Sequence, residues 1–288
     1  VLSGAFIDLA SGDDTATFKG VAIGARVSFG AGDDFATFSG DVSAATIYGG
    51  AGTDTLVFDA TGAVEGATID AGTQADTLRF NSTFSGSVSG INANAEYVSF
   101  GNNASVAFNS DIGSNSTVVF SNENDSAVFN HDVLSGAFID LASGDDTATF
   151  TGVDIGARVS FGAGDDVATF SGAVSAATIY GGAGNDTLVF SGAVNSATID
   201  QGIGNDSLYF GDSFTGTTLT GSGADTFNFQ GPTTAVFGAI TTAASQVSFG
   251  SNNDYGSFSG SVGEISIYGG SGNDSFDFST AGVGAATI

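Results

Sequence analysis

Apolar and polar residues alternate along most of the chain in short runs, and glycine-rich segments separate these runs. In the run 54–58, Leu56 and Phe58 would share one side of a strand, while Thr55 and Val57 share the other. This period of two predicts a β-strand with one buried face. A second run places a small and a larger apolar residue on its inner side, as Ala25/Val27, Ala45/Ile47, Ala67/Ile69, Ala157/Val159, Ala177/Ile179 and Ala197/Ile199. The pattern predicts strands joined by turns and no amphipathic helix.

One aspartate position recurs with a regular period along the chain, and a phenylalanine follows each copy at a fixed distance. The aspartates are Asp14, Asp34, Asp54, Asp76, Asp146, Asp166, Asp186, Asp206, Asp225, Asp254 and Asp274. A repeat of this length cannot bury its own apolar side, so neighbouring repeats must stack. The sequence therefore predicts an all-β fold, an elongated parallel β-solenoid with about 20 residues per coil.

A longer repeat overlies the short one, because residues 1–58 match residues 133–190 almost completely at an offset of 132. We expect residues 1–288 to form a single continuous β-solenoid. Because the sequence begins and ends inside a repeat, we also expect it to be an excerpt of a longer array. The aspartate pattern lapses at about 85–132 and again at about 230–250. Irregular or metal-poor coils are expected in these two stretches.

A glycine turn of the form G-x-G-x-D precedes most of these aspartates, and full G-G-x-G-x-D copies end at Asp54, Asp186 and Asp274. Stacking would place the aspartates about 4.8 Å apart, where like charges repel by about 1 kcal/mol even in water. Such a row needs cations, and Ca²⁺ accepts six to eight oxygen ligands in flexible geometry. Glycine lets the main chain take positive φ and turn its carbonyls toward an ion.

The sequence therefore predicts roughly eight Ca²⁺ ions held between neighbouring loops. The second turn of each repeat has no regular carboxylate, so we expect the ions along one edge of the solenoid. The predicted ligands are the eleven aspartates above and the loop glycines Gly30, Gly32, Gly50, Gly52, Gly162, Gly164, Gly182, Gly184, Gly202, Gly204, Gly270 and Gly272.

The loops resemble the calcium-binding repeats of the repeats-in-toxin (RTX, hemolysin-type) β-roll family, and the S-layer and surface-protein members in particular. The resemblance runs through Gly50, Gly52 and Asp54, and through their counterparts along nearly the whole chain. It implies that Asp side chains and Gly carbonyls ligate Ca²⁺ between coils. It also implies type I secretion from a Gram-negative bacterium, with folding outside the cell. The family has a shorter repeat with metal loops on both edges, whereas this chain has one loop in each longer coil.

The amino-acid composition excludes several kinds of binding site and partner. The 288 residues include 45 Gly, one Pro and no Cys, and the one histidine is His131. Disulfides, thiolate metal sites and histidine-based zinc clusters are therefore excluded. The formal net charge of −27 disfavours nucleic acid and anionic membranes as partners. No apolar run reaches membrane-spanning length, so no membrane insertion is expected.

The sequence offers no nucleophile with a base, no paired acid and base and no redox centre, so we expect no enzymatic activity. The expected function is structural: a calcium-stabilised segment of a secreted bacterial surface layer, sheath or extracellular filament. The expected partner is another copy of the chain, in an oligomer, lattice or filament, and a cell-surface polysaccharide is a further candidate. A calcium-dependent adhesin stalk or ligand-binding module, ice binding included, is the alternative. An accessory module of a secreted enzyme ranks third.

Overall fold

The structure is a computed structural model. It describes residues 1–59, 62–91, 95–152, 156–240, 245–259, 264–278 and 286–287. Parts of the two stretches expected to be irregular, 92–94 and 241–244, lie outside the described residues, as does the end of the chain at Ile288. Within the described residues, no helix is long and apolar enough to cross a membrane. The chain divides into two compact units, Val1–Ser143 (unit 1) and Gly144–Ile288 (unit 2).

Unit 1 contains fifteen strands in its described residues, most of them three to six residues long. They are β1 (Phe6–Asp8), β2 (Thr15–Phe18), β3 (Arg26–Ala31), β4 (Phe35–Phe38), β5 (Val42–Ser43), β6 (Thr46–Ala51), β7 (Thr55–Phe58), β8 (Val64–Thr73), β9 (Thr77–Phe80), β10 (Phe84–Ser89), β11 (Tyr97–Phe100), β12 (Ala104–Phe108), β13 (Thr117–Val119), β14 (Ser126–Phe129) and β15 (Phe138–Asp140).

Unit 2 contains seventeen strands in its described residues. They are β16 (Thr147–Phe150), β17 (Arg158–Ala163), β18 (Val167–Phe170), β19 (Val174–Ser175), β20 (Thr178–Ala183), β21 (Thr187–Phe190), β22 (Val194–Asn195), β23 (Thr198–Ile203), β24 (Ser207–Phe210), β25 (Phe214–Ser222), β26 (Thr226–Phe229), β27 (Thr233–Ile240), β28 (Ser245–Ser248), β29 (Tyr255–Phe258), β30 (Ile265–Tyr268), β31 (Ser275–Asp277) and β32 (Ala286–Thr287).

Each unit is a parallel β-solenoid in which the chain alternates between two sheets. In unit 1 one sheet has the order β1-β3-β6-β8-β10-β12-β14, with β5 also paired to β8, and the other has the order β2-β4-β7-β9-β11-β13-β15. Strand pairs are parallel, and partners such as Thr15 and Phe35 occupy equivalent positions of successive coils. The predicted fold, a parallel β-solenoid with coils of the predicted length, is confirmed.

Unit 2 has the same architecture. One sheet has the order β16-β18-β21-β24-β26-β28-β30-β32, and the other has the order β17-β20-β23-β25-β27-β29-β31, with β22 bridging β19 and β25. The register slips by a residue in the pairing of β23 with β25, between Asp200 and Ile203, so the coil that follows is shorter.

Phenylalanine rings stack through the core of both units because each ring lies one coil above its equivalent. Phe38 and Phe58 stack with ring centroids 4.6 Å apart, and Phe58 and Phe80 stack at 4.7 Å. The unit 1 stack contains Phe18, Phe38, Phe58, Phe80, Phe100 and Phe120. The main unit 2 stack contains Phe150, Phe170, Phe190, Phe210, Phe229 and Phe249. This stacking fixes the rotation of successive coils and so brings their loops into line.

Candidate metal centre

The eleven recurring aspartates, called the inner aspartates below, each lie at the end of a turn and directly before a strand. Asp54, for example, follows the turn 50–53 and precedes β7. Asp14 and Asp274 are partly exposed. The other nine are buried: Asp34, Asp54, Asp76, Asp146, Asp166, Asp186, Asp206, Asp225 and Asp254. Burial of so many carboxyl groups is unfavourable unless each oxygen meets a partner.

One carboxylate oxygen of most inner aspartates accepts a main-chain N–H from the preceding coil. The N–H of Asp34 donates to Oδ1 of Asp54 at 2.9 Å, and the N–H of Asp54 donates to Oδ1 of Asp76 at 2.8 Å. The same bond joins Asp14 to Asp34 and Asp254 to Asp274, and it joins the run Asp146, Asp166, Asp186, Asp206 and Asp225. The predicted aspartate ligands are therefore brought together in three rows.

The second carboxylate oxygen, Oδ2, differs from the first in its hydrogen bonding. Among the described residues, Oδ2 is buried and accepts no hydrogen bond in Asp14, Asp34, Asp54, Asp76, Asp166, Asp186, Asp206, Asp225 and Asp254. Each row therefore presents buried acceptors that no described residue satisfies. Such atoms need either a proton on the carboxyl group or a cation beside it.

A second series of side chains lies on the outside of the same loops, one residue before each inner aspartate. In this outer position the side-chain oxygen accepts an N–H from the following coil, not from the preceding one. The N–H of Asp33, for example, donates to Oδ1 of Asp13 at 3.0 Å. The N–H of Asn205 likewise donates to Oδ1 of Asn185 at 3.0 Å. The outer residues are Asp13, Asp33, Thr53, Ala75, Asp145, Asp165, Asn185, Asn205, Ala224, Asn253 and Asn273. The outer position therefore holds aspartate, asparagine, threonine or alanine in the eleven loops that share an inner aspartate.

Burial raises the pKa of eight of the inner aspartates. It raises the pKa of Asp54 to about 6, because the ionised group loses hydration; the hydrogen bond from Asp34 acts in the opposite direction, and the charges of Asp34 and Asp33 add repulsion. Burial likewise raises the pKa of Asp76, Asp166 and Asp206 to about 7. The pKa values of Asp34, Asp186, Asp225 and Asp254 are also raised, first by burial. A positive charge beside these carboxyl groups would lower their pKa and favour the ionised form near neutral pH.

Buried loop aspartates lie on both edges of each unit, which differs from the expectation of one edge. In unit 2, Asp225 precedes β26, whereas Asp254 precedes β29 in the other sheet. In unit 1, the four inner aspartates each precede a strand of the same sheet: β2, β4, β7 and β9. Asp125 precedes β14, which belongs to the other sheet. The reason is the spacing, because Asp254 follows Asp225 by about one and a half coils instead of a whole number.

In the stretches with few inner aspartates, other side chains accept the main-chain N–H groups of the loops. These residues are Asp125, Ser116 and Ser245. Oδ1 of Asp125 accepts the N–H of Ala104 at 2.5 Å, and its Oδ2 accepts both the N–H and the hydroxyl of Ser121. Ser116 and Ser245 take the inner position and accept an inner N–H through Oγ. Both carboxylate oxygens of Asp125 therefore accept hydrogen bonds from the protein, unlike the buried Oδ2 atoms of the inner aspartates.

The predicted loop glycines all have positive φ, from 80° at Gly270 to 153° at Gly204. At Gly50, with φ of 118°, a Cβ atom would overlap the carbonyl oxygen of Gly30 in the preceding coil. Glycine is therefore needed both for the main-chain conformation and for the close stacking of loops. Whether these carbonyls ligate an ion stays a prediction.

The donor set of the rows fits a hard divalent cation. Buried carboxylate oxygens line up between coils, and oxygen donors are what Ca²⁺ prefers. Within the described ranges, no group of three or more His, Cys, Asp or Glu side chains gathers in a way that could hold a metal ion. A cation between coils would therefore take two carboxylates and complete its shell with main-chain carbonyls or water.

Comparison with known proteins gives one structural resemblance. No protein-family model matches the chain, and no curated protein matches its sequence. A hyperactive, Ca²⁺-dependent, β-helical antifreeze protein from an Antarctic bacterium is similar in structure, with a TM-score of 0.44 and 20% sequence identity. The match covers 83% of this chain and 77% of that protein. The resemblance to RTX repeats therefore rests on the loop motifs, and the chain is described as a parallel β-solenoid with rows of buried aspartates.

Proposed function

We propose that the chain is a structural module of a secreted bacterial surface layer, sheath or filament, and that Ca²⁺ bound along the inner aspartates makes it rigid. The observation that supports this most is the difference between the inner and outer positions. Both positions accept a main-chain N–H through a side-chain oxygen. Asparagine performs this task in the outer position at Asn185, Asn205 and Asn253. The inner N–H instead bonds to an aspartate along the rows and to a serine at Ser116 and Ser245.

This difference concerns the second oxygen. Asparagine would keep the Oδ1 acceptor and would place an N–H₂ group where Oδ2 of aspartate lies. An aspartate in this position, unlike an asparagine, can bind a positively charged group through Oδ2. Each Ca²⁺ would lie between consecutive inner aspartates and would cancel two negative charges, so roughly eight ions would reduce the formal charge from −27 to about −11.

Binding of Ca²⁺ by the folded chain alone couples folding to the ion. Without the ion, the rows hold carboxyl groups that repel one another and have lost hydration. We therefore propose that the solenoid is weakly stable where Ca²⁺ is scarce, inside the cell, and firmly folded outside it. An extracellular location and export before folding agree with such a module.

Self-association is the proposed role of the outer sheet faces. Phe35 is 45% exposed on β4 and Tyr97 is 38% exposed on β11. In-register pairing aligns Phe35, Thr55, Thr77 and Tyr97 across neighbouring strands of one sheet in unit 1. The aromatic side chains interrupt the threonines in this row, which favours packing against another protein surface over a regular threonine array for ice.

Light scattering against Ca²⁺ concentration tests the proposal. We expect Ca²⁺ to complete folding first and then to increase particle mass, because less charge opposes association. The double variant F35S/Y97S should fold with Ca²⁺ as the wild type does and associate less. A particle that stays monomeric after folding has saturated would contradict the structural proposal and support the adhesin stalk or ligand-binding module. Thermal hysteresis measured on that monomer would then test the ice-binding form.

A further inference from the structure

Gln201 is a buried polar residue that the rows described above do not explain. It lies in β23, directly before the loop that ends at Asp206, and it is 0% exposed. In-register pairing of Gly182 with Gly202 makes Gly181 its equivalent in the preceding coil. The corresponding position is Gly49 in the loop of Asp54. Gln201 therefore has a long polar side chain at a position that is glycine in the loops of Asp54 and Asp186 and phenylalanine, Phe161, in the loop of Asp166.

Neither polar atom of this side chain has a partner in the described part of the chain. Both Oε1 and Nε2 are buried and make no hydrogen bond, and the same holds for Oδ2 of Asp206 and of Asp225. Nε2 of Gln201 donates to neither of these two carboxylates. Buried groups of this kind are unfavourable when they are left without partners, so a further species is expected between them.

The geometry of the neighbouring glycines places the side chain in the row. A Cβ atom on Gly181 would lie 2.7 Å from Oδ2 of Asp186. By register, Gln201 has the same place relative to Asp206 in its loop as Gly181 has relative to Asp186. A Cβ atom on Gly221 would overlap Oε1 of Gln201, and Gly221 belongs to the loop that ends at Asp225. Oε1 therefore lies between the loops of Asp206 and Asp225.

We propose that Gln201 supplies Oε1 as a neutral ligand to a divalent cation held between Asp206 and Asp225. This inference rests on the proposed function, since it assigns a specific ligand set to one site of the rows. Two carboxylates and one amide oxygen form a hard donor set of the kind that Ca²⁺ takes. Nε2 is left to donate to a water molecule in the same space. The extra oxygen makes this the tightest site of its row and the first to fill.

The test compares Ca²⁺ binding by the full chain and its variants, measured by calorimetry in competition with a chelator of known affinity. Q201L keeps much of the side-chain volume and removes the oxygen. It should weaken the tightest site at least about tenfold, the loss that even a second-sphere change can cause. Q201E adds a charged oxygen and should tighten the same site. Gln246 is an exposed residue of β28 in the same unit, so Q246L is the matched control and should bind as the wild type does.

Two outcomes separate this inference from the proposed function. Unchanged affinity of the tightest site in Q201L, with wild-type stoichiometry, would overturn the role of Gln201 and leave the rows intact. A wild-type chain that binds no Ca²⁺ would overturn the proposed function as well. If Q201L does not fold, Q201G replaces it, because glycine stands at this position in the loops of Asp54 and Asp186. Q201G should show the same weakening, and wild-type affinity in Q201G would again contradict the inference.

Discussion

The main-chain N–H of Asp34 donates a 2.9 Å hydrogen bond to Oδ1 of Asp54, one coil further along the chain. Oδ2 of the same Asp54 is buried and accepts no hydrogen bond within the described residues. One oxygen of the carboxylate therefore stacks the coils, and the other is available to a cation. Single substitutions in the loops can separate these two roles.

Replacement of Asp54 by Asn should remove the ion-binding role and keep the stacking bond. We expect D54N to lose about 2 to 3 kcal/mol of Ca²⁺-dependent stability for each cation lost, at a Ca²⁺ concentration of about 100 times Kd. With chelator present, D54N should be at least as stable as the wild type, since a buried charge has been removed. Thermal melting with Ca²⁺ and with chelator measures both effects.

The outer residue of an adjacent loop provides the control for D54N. Asp33 is exposed and accepts the N–H of Thr53 through Oδ1, which an asparagine can also do. D33N should therefore change stability by no more than about 0.5 kcal/mol in either condition. Equal losses of Ca²⁺-dependent stability in D33N and D54N would show that the inner row has no special role.

The pH dependence of stability should change sign with Ca²⁺. Burial raises the pKa of Asp54 to about 6 and that of Asp166 to about 7, so the folded chain binds protons more tightly than the unfolded chain. Without Ca²⁺, the free energy of unfolding should therefore fall as pH rises from about 4 to about 7. With Ca²⁺, the stabilisation by the ion should grow over the upper part of this range, because protons and ions compete for the carboxylates. Urea unfolding at pH 5 and pH 7.5 checks this, and a metal-free chain that gains stability over the window would contradict it.

Gly50→Ala should destabilise unit 1 more than Gly12→Ala does. Both glycines have φ of 118°, but a Cβ atom on Gly50 would overlap the carbonyl oxygen of Gly30, whereas nothing lies within 4 Å of a Cβ atom on Gly12. Both variants adopt a strained conformation, and G50A also forces two coils apart, at an added cost of about 1 to 3 kcal/mol. Urea unfolding of the two variants gives the difference. Equal destabilisation would mean that loop stacking is looser than the structure indicates.

Phe58→Ala should destabilise the fold whether or not Ca²⁺ is present. Phe58 is buried and stacks between Phe38 and Phe80, so its loss should cost about 3 to 5 kcal/mol. Phe35→Ala is the control, because Phe35 is 45% exposed on the outer face, and its effect should stay below about 1 kcal/mol. Chemical unfolding with and without Ca²⁺ tests this, and a loss in F58A that appears only with Ca²⁺ would contradict an ion-independent core.

The local alternation of residues was sufficient to predict the length of the coils. It was insufficient to predict on which edge of the solenoid the loop aspartates lie. The regular spacing of Asp34 and Asp54, with Phe38 and Phe58 at the same distance after them, predicts the length of a coil, and the structure has coils of that length. The side on which a row lies depends on the summed length of the intervening coils. The stretch from Asp225 to Asp254 adds about half a coil and moves the row to the other edge of unit 2. This signal was present in the spacing, whereas the burial of Gln201 depends on contacts between coils that periodicity does not specify.

Thermal melting of the wild-type chain, followed by circular dichroism during a Ca²⁺ titration from excess chelator to millimolar Ca²⁺, tests the central claim most directly. The account predicts a melting temperature that rises with Ca²⁺ until the rows are filled, since the ion binds the folded chain alone. Mg²⁺ at the same concentrations should raise it less, because Mg²⁺ demands near-octahedral geometry and keeps its waters. Melting curves that coincide in chelator and in millimolar Ca²⁺ would contradict the account.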